Sequence, residues 1–187
     1  MSTRWRPIFD PTHLYFVTTA TANRTQIFRR DIIKRTLVDA LYFTSLMNNT
    51  HLFAFVVMPN HIHVIIQCTE GFPLQKWTRA FKTCTSQLIV RLYQMEQNWH
   101  ELSLLATAGT QAGTQRYKVW ENGYLAKNVV GPEFLIQKLT YIHNNPVQSH
   151  WQLASAPEEY QWSSARFYLQ DDKECLIPIQ DVRELLA

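Results

Sequence analysis

The sequence predicts an α+β fold: a ferredoxin-like, split βαβ arrangement in which an antiparallel sheet carries helices on one face, with an added C-terminal helical tail. Three observations lead there. Short runs rich in aromatic and β-branched residues alternate with longer segments of helical apolar spacing. Their order is strand, helix, strand, strand, helix, strand. The 187 residues are 46% hydrophobic with 5 Gly and 8 Pro, enough apolar material for one domain core and too little Gly and Pro for a disordered or fibrous chain.

The elements follow in order. Residues 14–22, LYFVTTATA, read as the first strand. Over 28–47, Ile32, Ile33, Leu37, Leu41 and Leu46 recur near helical spacing until Asn48 and Asn49, which predicts an amphipathic helix. Residues 51–58 and 61–67, HLFAFVVM and HIHVIIQ, flank Pro59-Asn60 and predict an antiparallel hairpin. Leu74, Trp77, Phe81, Leu88, Leu92 and Met95 then mark a longer helix over 74–97 with a basic outer face. Residues 98–116 contain ATAGTQAGTQ, a near-repeat with little to bury, and read as a flexible loop. YKVWENGYL, at 117–125, supplies the last strand, turned at Asn122 and Gly123. Gly131-Pro132 opens a third helix running to about Asn144, an addition to the split βαβ unit.

Charge divides the chain unevenly. Residues 1–151 carry a net +7 and residues 152–187 a net −4, so a basic domain over 1–151 is expected to carry an acidic extension, 152–187, packed on it. Residues 1–35 hold seven Arg or Lys against two Asp, and 74–91 hold Lys76, Arg79, Lys82 and Arg91 with no acid. Such blocks suit a polyanion such as nucleic acid, though an ordinary basic solvated surface has the same composition. No run approaches a membrane-spanning length and MSTRWRPIFD has no apolar leader segment, so a cytoplasmic protein without a membrane partner is expected. Cys68, Cys84 and Cys175 are odd in number and lack CxxC spacing, which argues against a disulfide framework or a cysteine zinc site.

Two clusters can carry chemistry. His61 and His63 flank Ile62 in a strand, so both imidazoles leave one face while Ile62 leaves the other. Two such histidines can share a metal, or can be surface residues with no ligand. Tyr141 and Asn145 stand four apart at the end of the third helix, on one face, while Leu135, Leu139 and Ile142 form its inward stripe. Pro146 disfavours helical geometry at Asn145, so the helix is expected to fray there. Together the clusters define a reaction: a metal held by His61, His63 and the amide oxygen of Asn145 polarises a phosphodiester, and Tyr141 attacks it. A phenol has a reference pKa of about 10, so the nucleophile needs a nearby cation to activate it. The resulting phosphotyrosine conserves the energy of the broken bond and permits resealing.

These residues resemble a family. MPNHIHVII (58–66) is similar to the histidine-hydrophobic-histidine motif of HUH single-strand endonucleases, in particular the single-tyrosine transposases. YIHNNPV (141–147) followed by PEEYQWSSARFY (157–168) resembles the REP-associated tyrosine transposases and their insertion-sequence relatives, with Phe81-Lys82 and VWENGY (119–124) adding to the likeness. The resemblance implies a divalent metal, Mg or Mn, and cleavage of single-stranded DNA beside a hairpin, leaving a 5′ phosphate on tyrosine and a free 3′ hydroxyl. It assigns His61 and His63 to the metal, Asn145 as the third ligand and Tyr141 as nucleophile, and it implies a monomer, with a homodimer as the alternative. One departure is visible: a basic, glycine-containing turn is expected after YIHNNPV, whereas this chain has Gln148-Ser149-His150-Trp151. The residues themselves leave two rival activities, a non-cleaving hairpin-binding protein and a hydrolytic metal phosphodiesterase. For the DNA partner, stacking aromatics and phosphate-gripping cations are sought; the candidates are Arg4, Trp5, Arg6, Arg79, Lys82, Lys118, Trp120 and Lys127.

Overall fold

The computed structural model describes residues 9–113, 116–173 and 176–185, without the side chains at 111 and 112. Four strands, β1 (Leu14–Ala20), β2 (His51–Met58), β3 (His61–Gln67) and β4 (Leu125–Val129), form one antiparallel sheet in the order β2-β3-β1-β4. That is the strand order of the split βαβ unit. Helices α1 (Asp31–Met47) and α2 (Leu74–Met95) pack on each other over the face lined by Ile62, Val64 and Ile66. The third predicted helix, α4 (Pro132–Asn144), covers the opposite face, with Tyr141 against Phe16 of β1 and His63 of β3. Because helices lie on both sides, β2 and β3 are buried along almost their whole length, which accounts for their near-continuous apolar sequences.

Three segments differ from expectation. Residues 98–116 are not a loop: α3 (Trp99–Ala112) forms there and packs on α2. Asn98 caps it by accepting from the Glu101 N–H, and it ends at Gly113, whose φ of 67° takes the left-handed conformation. Leu102, Leu105 and Ala108 supply a narrow buried stripe beneath an otherwise bland repeat. The last strand lies at Leu125–Val129 rather than 117–125. The described residues before it run irregularly, with one isolated bridge, Thr21–Trp120, and Val119 and Trp120 turn into the core. Among the described residues of the C-terminal tail, helical character is confined to α5 (Ala165–Leu169) and short 3₁₀ turns.

This tail closes the outer edge of β2. The Val57 N–H donates to the Trp162 carbonyl (2.9 Å), the Ser164 N–H to the Phe55 carbonyl (3.0 Å) and the Gln180 N–H to the Leu52 carbonyl (2.8 Å). The Tyr160 and Tyr168 hydroxyls donate to the carbonyls of Val57 and Phe53. An otherwise open row of strand donors and acceptors is thereby satisfied. The buried Ser164 hydroxyl joins three elements, accepting from the Phe55 N–H at 3.0 Å and lying 3.0 Å from His143 Nε2 on α4. Ser164→Ala should therefore cost about 1–3 kcal/mol, since it leaves buried groups without partners; urea unfolding measures it, and a loss below about 0.5 kcal/mol would remove Ser164 from this role.

Candidate active site

The hairpin turn and α4 bring both predicted clusters into one pocket of about 480 Å³, lined among others by Phe16, Thr18, Arg24, Asn60, His61, His63, Lys127, Lys138, Tyr141, Asn145 and Trp151. His61 and His63 stand on the β3 face that meets α4, their ring centroids 4.8 Å apart. The Tyr141 ring meets His63 edge-on at 5.2 Å and Phe16 at 5.9 Å, while Phe16 stacks on His63 at 5.3 Å. Tyr141 keeps 42% exposure, so its hydroxyl-bearing ring is reachable from solvent, whereas His63 is 4% exposed and Asn145 2%. Asn145 does not fray: it keeps right-handed helical angles (φ −56°, ψ −45°), and the chain tightens into a 3₁₀ turn, Asn145–Val147, that accommodates Pro146.

Hydrogen bonds decide which imidazole atoms are available. The Asn60 amide donates to the Arg24 carbonyl at 3.1 Å, an acceptor only, so its own oxygen is the atom that faces His61 Nδ1 at 2.7 Å. His61 Nδ1 must then carry the proton, and Nε2 keeps its lone pair. The Thr18 hydroxyl holds His63 Nδ1 at 2.7 Å, again leaving Nε2 to the pocket. Burial, followed by the Arg24 guanidinium, pushes the His61 pKa down to about 4, with the Asn145 amide pulling the other way. Burial, then His61, Arg24 and Lys138, push His63 down to about 3. Both rings are neutral near pH 7, the form in which histidine binds metal.

Six buried side-chain polar atoms lack a hydrogen-bond partner among the described residues, and two of them, His63 Nε2 and Asn145 Oδ1, belong to this pocket. A desolvated amide oxygen without a donor is what a cation site requires and what a purely structural site avoids, and the neutral His63 ring can turn its Nε2 lone pair to a cation by keeping its proton on Nδ1. Among the described residues no group of three or more His, Cys, Asp or Glu is placed to hold a metal; the set here is two imidazoles and an amide oxygen, which suits a hard to borderline divalent ion that keeps water and phosphate ligands.

The other predicted DNA contacts separate. Lys127, on β4, is exposed at the pocket rim. Arg79 and Lys82 line a different groove, of about 890 Å³, between α2 and residues 116–124. The Lys82 ammonium donates to the carbonyls of Glu121 and Gly123, so it is committed to holding that segment, and burial lowers its pKa to about 8. Lys118 is buried. Trp120 is 5% exposed, packed against Phe28 and Phe81 with its indole N–H on the Thr85 hydroxyl, so its ring is core and not a stacking platform. Arg4, Trp5 and Arg6 lie outside the described residues.

Sequence reasoning missed Arg24 and Lys138. Lys138 lies one turn before Tyr141, a spacing that could have flagged it, and its Nζ sits 5.8 Å from the Tyr141 ring centroid and 5.3 Å from that of Phe16. Arg24 had no local signal. It follows Asn23 in a turn where both residues have positive φ, 54° and 55°, a costly conformation for arginine that is pinned by the Asn60 and Glu121 side chains.

A family profile described as "Transposase IS200 like" matches residues 11–145, the stretch from β1 through Asn145. The chain belongs to that family. A role in transposase-like DNA processing follows at that coarse level. Among relatives, an uncharacterized protein of Haemophilus influenzae is 26% identical over 149 residues, 71% of this chain and 79% of the relative. A REP-associated tyrosine transposase, solved bound to a REP hairpin, superposes with a TM-score of 0.65 at 18% identity over 95% of this chain and 89% of its own, a likeness of fold. A putative transposase from Deinococcus radiodurans aligns at 20% identity and a TM-score of 0.48, covering 77% of this chain and 96% of its own.

The orphaned amide oxygen leads to a stability prediction for this IS200-like transposase. Asn145→Leu, assayed by urea unfolding in EDTA, should stay within about 1 kcal/mol of wild type despite full burial, because an unpaired buried acceptor is lost along with the amide. A loss of about 3 kcal/mol or more would show Asn145 to be a structural residue instead.

Proposed function

We propose that this IS200-like transposase is a divalent-metal-dependent endonuclease and strand transferase acting on single-stranded DNA beside a hairpin, with Tyr141 as its nucleophile. The observation that carries this reading is the convergence, in one basic pocket, of a reachable tyrosine with two neutral imidazoles and a partnerless buried amide oxygen. His61, His63 and Asn145 would hold a Mg or Mn ion. Such an ion supplies Lewis acidity, polarising a phosphate oxygen and offsetting charge that develops in the transition state.

The protein's own groups account for the remaining work. Helix α4 carries Tyr141 and Asn145 on one face, so the attacking hydroxyl and the ligand set are held in fixed relation by rigid backbone. A bond forms between the Tyr141 oxygen and the phosphorus, the bond from phosphorus to the 3′ oxygen of the preceding nucleotide breaks, the phenol loses its proton and the departing 3′ oxygen gains one. The Lys138 ammonium, 5.8 Å from the Tyr141 ring centroid, puts a positive charge beside the attacking residue and the phosphate it meets. Lys127 and Arg24 add positive charge at the rim, and among the described residues no Asp or Glu lines the pocket, which suits phosphate binding. Asn60 fixes the His61 tautomer.

Denaturing gels test the reading. Purified protein is incubated with labelled hairpin oligonucleotides bearing single-stranded flanks, in Mg, in Mn and in EDTA. Wild type should give a covalent protein–DNA band only with metal, and Tyr141→Phe should give none. Cleaved DNA without an adduct, persisting in Tyr141→Phe, would mean hydrolysis by water, and tight binding without cleavage would mean a hairpin-binding protein. Asn60→Leu removes the partner that orients His61, and it should raise the metal concentration needed for half-maximal adduct by roughly 10–100-fold. An unchanged metal requirement would remove Asn60 from that role.

A further inference from the structure

The segment Gln148-Ser149-His150-Trp151, where the chain departs from the turn expected after YIHNNPV, forms a wall of the pocket: Gln148, His150 and Trp151 all line it. Trp151 is half-buried, its ring 5.8 Å from His61 and 5.5 Å from His150. The rings of Tyr141, His63, His61 and Trp151 therefore neighbour one another in that order, with successive centroid separations of 5.2, 4.8 and 5.8 Å. The histidine pair sits in the middle, with the tyrosine at one end and the indole at the other.

Past Trp151 the surface continues. A second hollow of about 380 Å³ shares the His150 and Trp151 wall and is lined also by Gln26, Arg29, Lys34 and Pro59. The Lys34 ammonium is already bound to the Arg29 carbonyl and Asp31 carboxylate, but the Arg29 side chain is exposed. With Arg24 lining the first hollow and Arg29 the second, and no carboxylate among the described residues lining either, basic side chains line both of the hollows that share Trp151. Such a combination of an aromatic plane and flanking arginines fits one nucleotide of a single strand, the ring stacking on the base and the guanidinium groups meeting the phosphates.

Displacement at phosphorus places the attacking and leaving oxygens in line on opposite sides. Tyr141 and Trp151 stand at the two ends of the succession of rings, with the histidine pair between them, so attack by Tyr141 on a phosphate at the histidines puts the departing 3′ oxygen, and its nucleotide, toward Trp151. We infer that Trp151 is the stacking platform for the base of the nucleotide immediately 5′ of the scissile phosphate, with Arg24 and Arg29 holding its backbone. This rests on the transesterification reading above. The device orients the leaving group before attack and keeps the released 3′ hydroxyl beside the phosphotyrosine, where it can reseal. Among the described tryptophans it is the only one lining the pocket; Trp77, Trp120 and Trp162 are buried.

The test uses the hairpin oligonucleotide that forms the adduct in the gel assay, with 2-aminopurine at the nucleotide 5′ of the scissile bond, bound to the Tyr141→Phe protein so that it stays uncut. Binding should quench the 2-aminopurine, and adding Trp151→Leu should abolish the quench and weaken affinity roughly 10–100-fold. Trp151→Phe should restore most of the affinity. When that nucleotide is abasic, the proteins with and without Trp151→Leu should bind within about twofold of each other, because the interaction is then missing from both. Unaltered quenching in Trp151→Leu, an equal loss on the abasic oligonucleotide, or an equal loss on the hairpin lacking its flank would overturn the stacking role. A normal adduct with no effect of Trp151→Leu sinks this inference alone; absence of any adduct from wild type sinks the transesterification reading with it.

Discussion

The site depends on the period-2 alternation of β3 inside a sheet that is covered on both faces. Ile62, Val64 and Ile66 enter the layer beneath α1 and α2 and are essentially inaccessible. A strand cannot send those side chains one way without sending His61 and His63 the other, beneath α4. Burial there strips the imidazoles of water, which makes them neutral, and it makes any unpaired nitrogen expensive. Asn60 and Thr18 answer that demand at the Nδ1 atoms. The Nε2 atoms are thus left to the pocket as a consequence of how the sheet is packed, and at His61 the Asn60 oxygen leaves Nε2 its lone pair.

The same logic assigns α4 its place. A helix laid across the second face buries Leu135, Ile142 and His143, and the residues one turn apart on its flank, Lys138, Tyr141 and Asn145, come to the pocket together. Tyr141 keeps solvent access while Asn145, four residues on, is fully buried, so one helix presents a nucleophile to a large substrate and an acceptor to the interior. The C-terminal tail supports the arrangement from behind. It satisfies the β2 edge and meets α4 through the Ser164–His143 contact, while none of its described residues lines the pocket.

Much of this was legible in the chain. The Pro-Asn hairpin, the two helices of the split βαβ unit, and the helix opened by Gly131-Pro132 each combine a strong period with an explicit start or stop signal, and local chemistry governs such elements. Helix α3 escaped because its buried stripe is only Leu102, Leu105 and Ala108 within a repeat of small polar residues, whose stability comes from packing on α2. β4 escaped because LAKNV has a weak strand propensity and becomes a strand by pairing with β1. Trp120 and Lys118 looked like surface DNA contacts for the opposite reason: nothing in an irregular segment announces which side chains turn inward.

The sequence by itself determined the pairs, His61 with His63 and Tyr141 with Asn145, because strand and helix periods are properties of the local backbone. Only the tertiary structure decided that the two pairs share a pocket, that Asn145 stays helical before Pro146, and that Arg24, Lys138 and Trp151 complete the walls. Those residues come from a strained turn, a neighbouring helical turn and a loop, and Arg24 meets Lys138 and Trp151 through packing across more than a hundred residues of sequence, which no local period encodes.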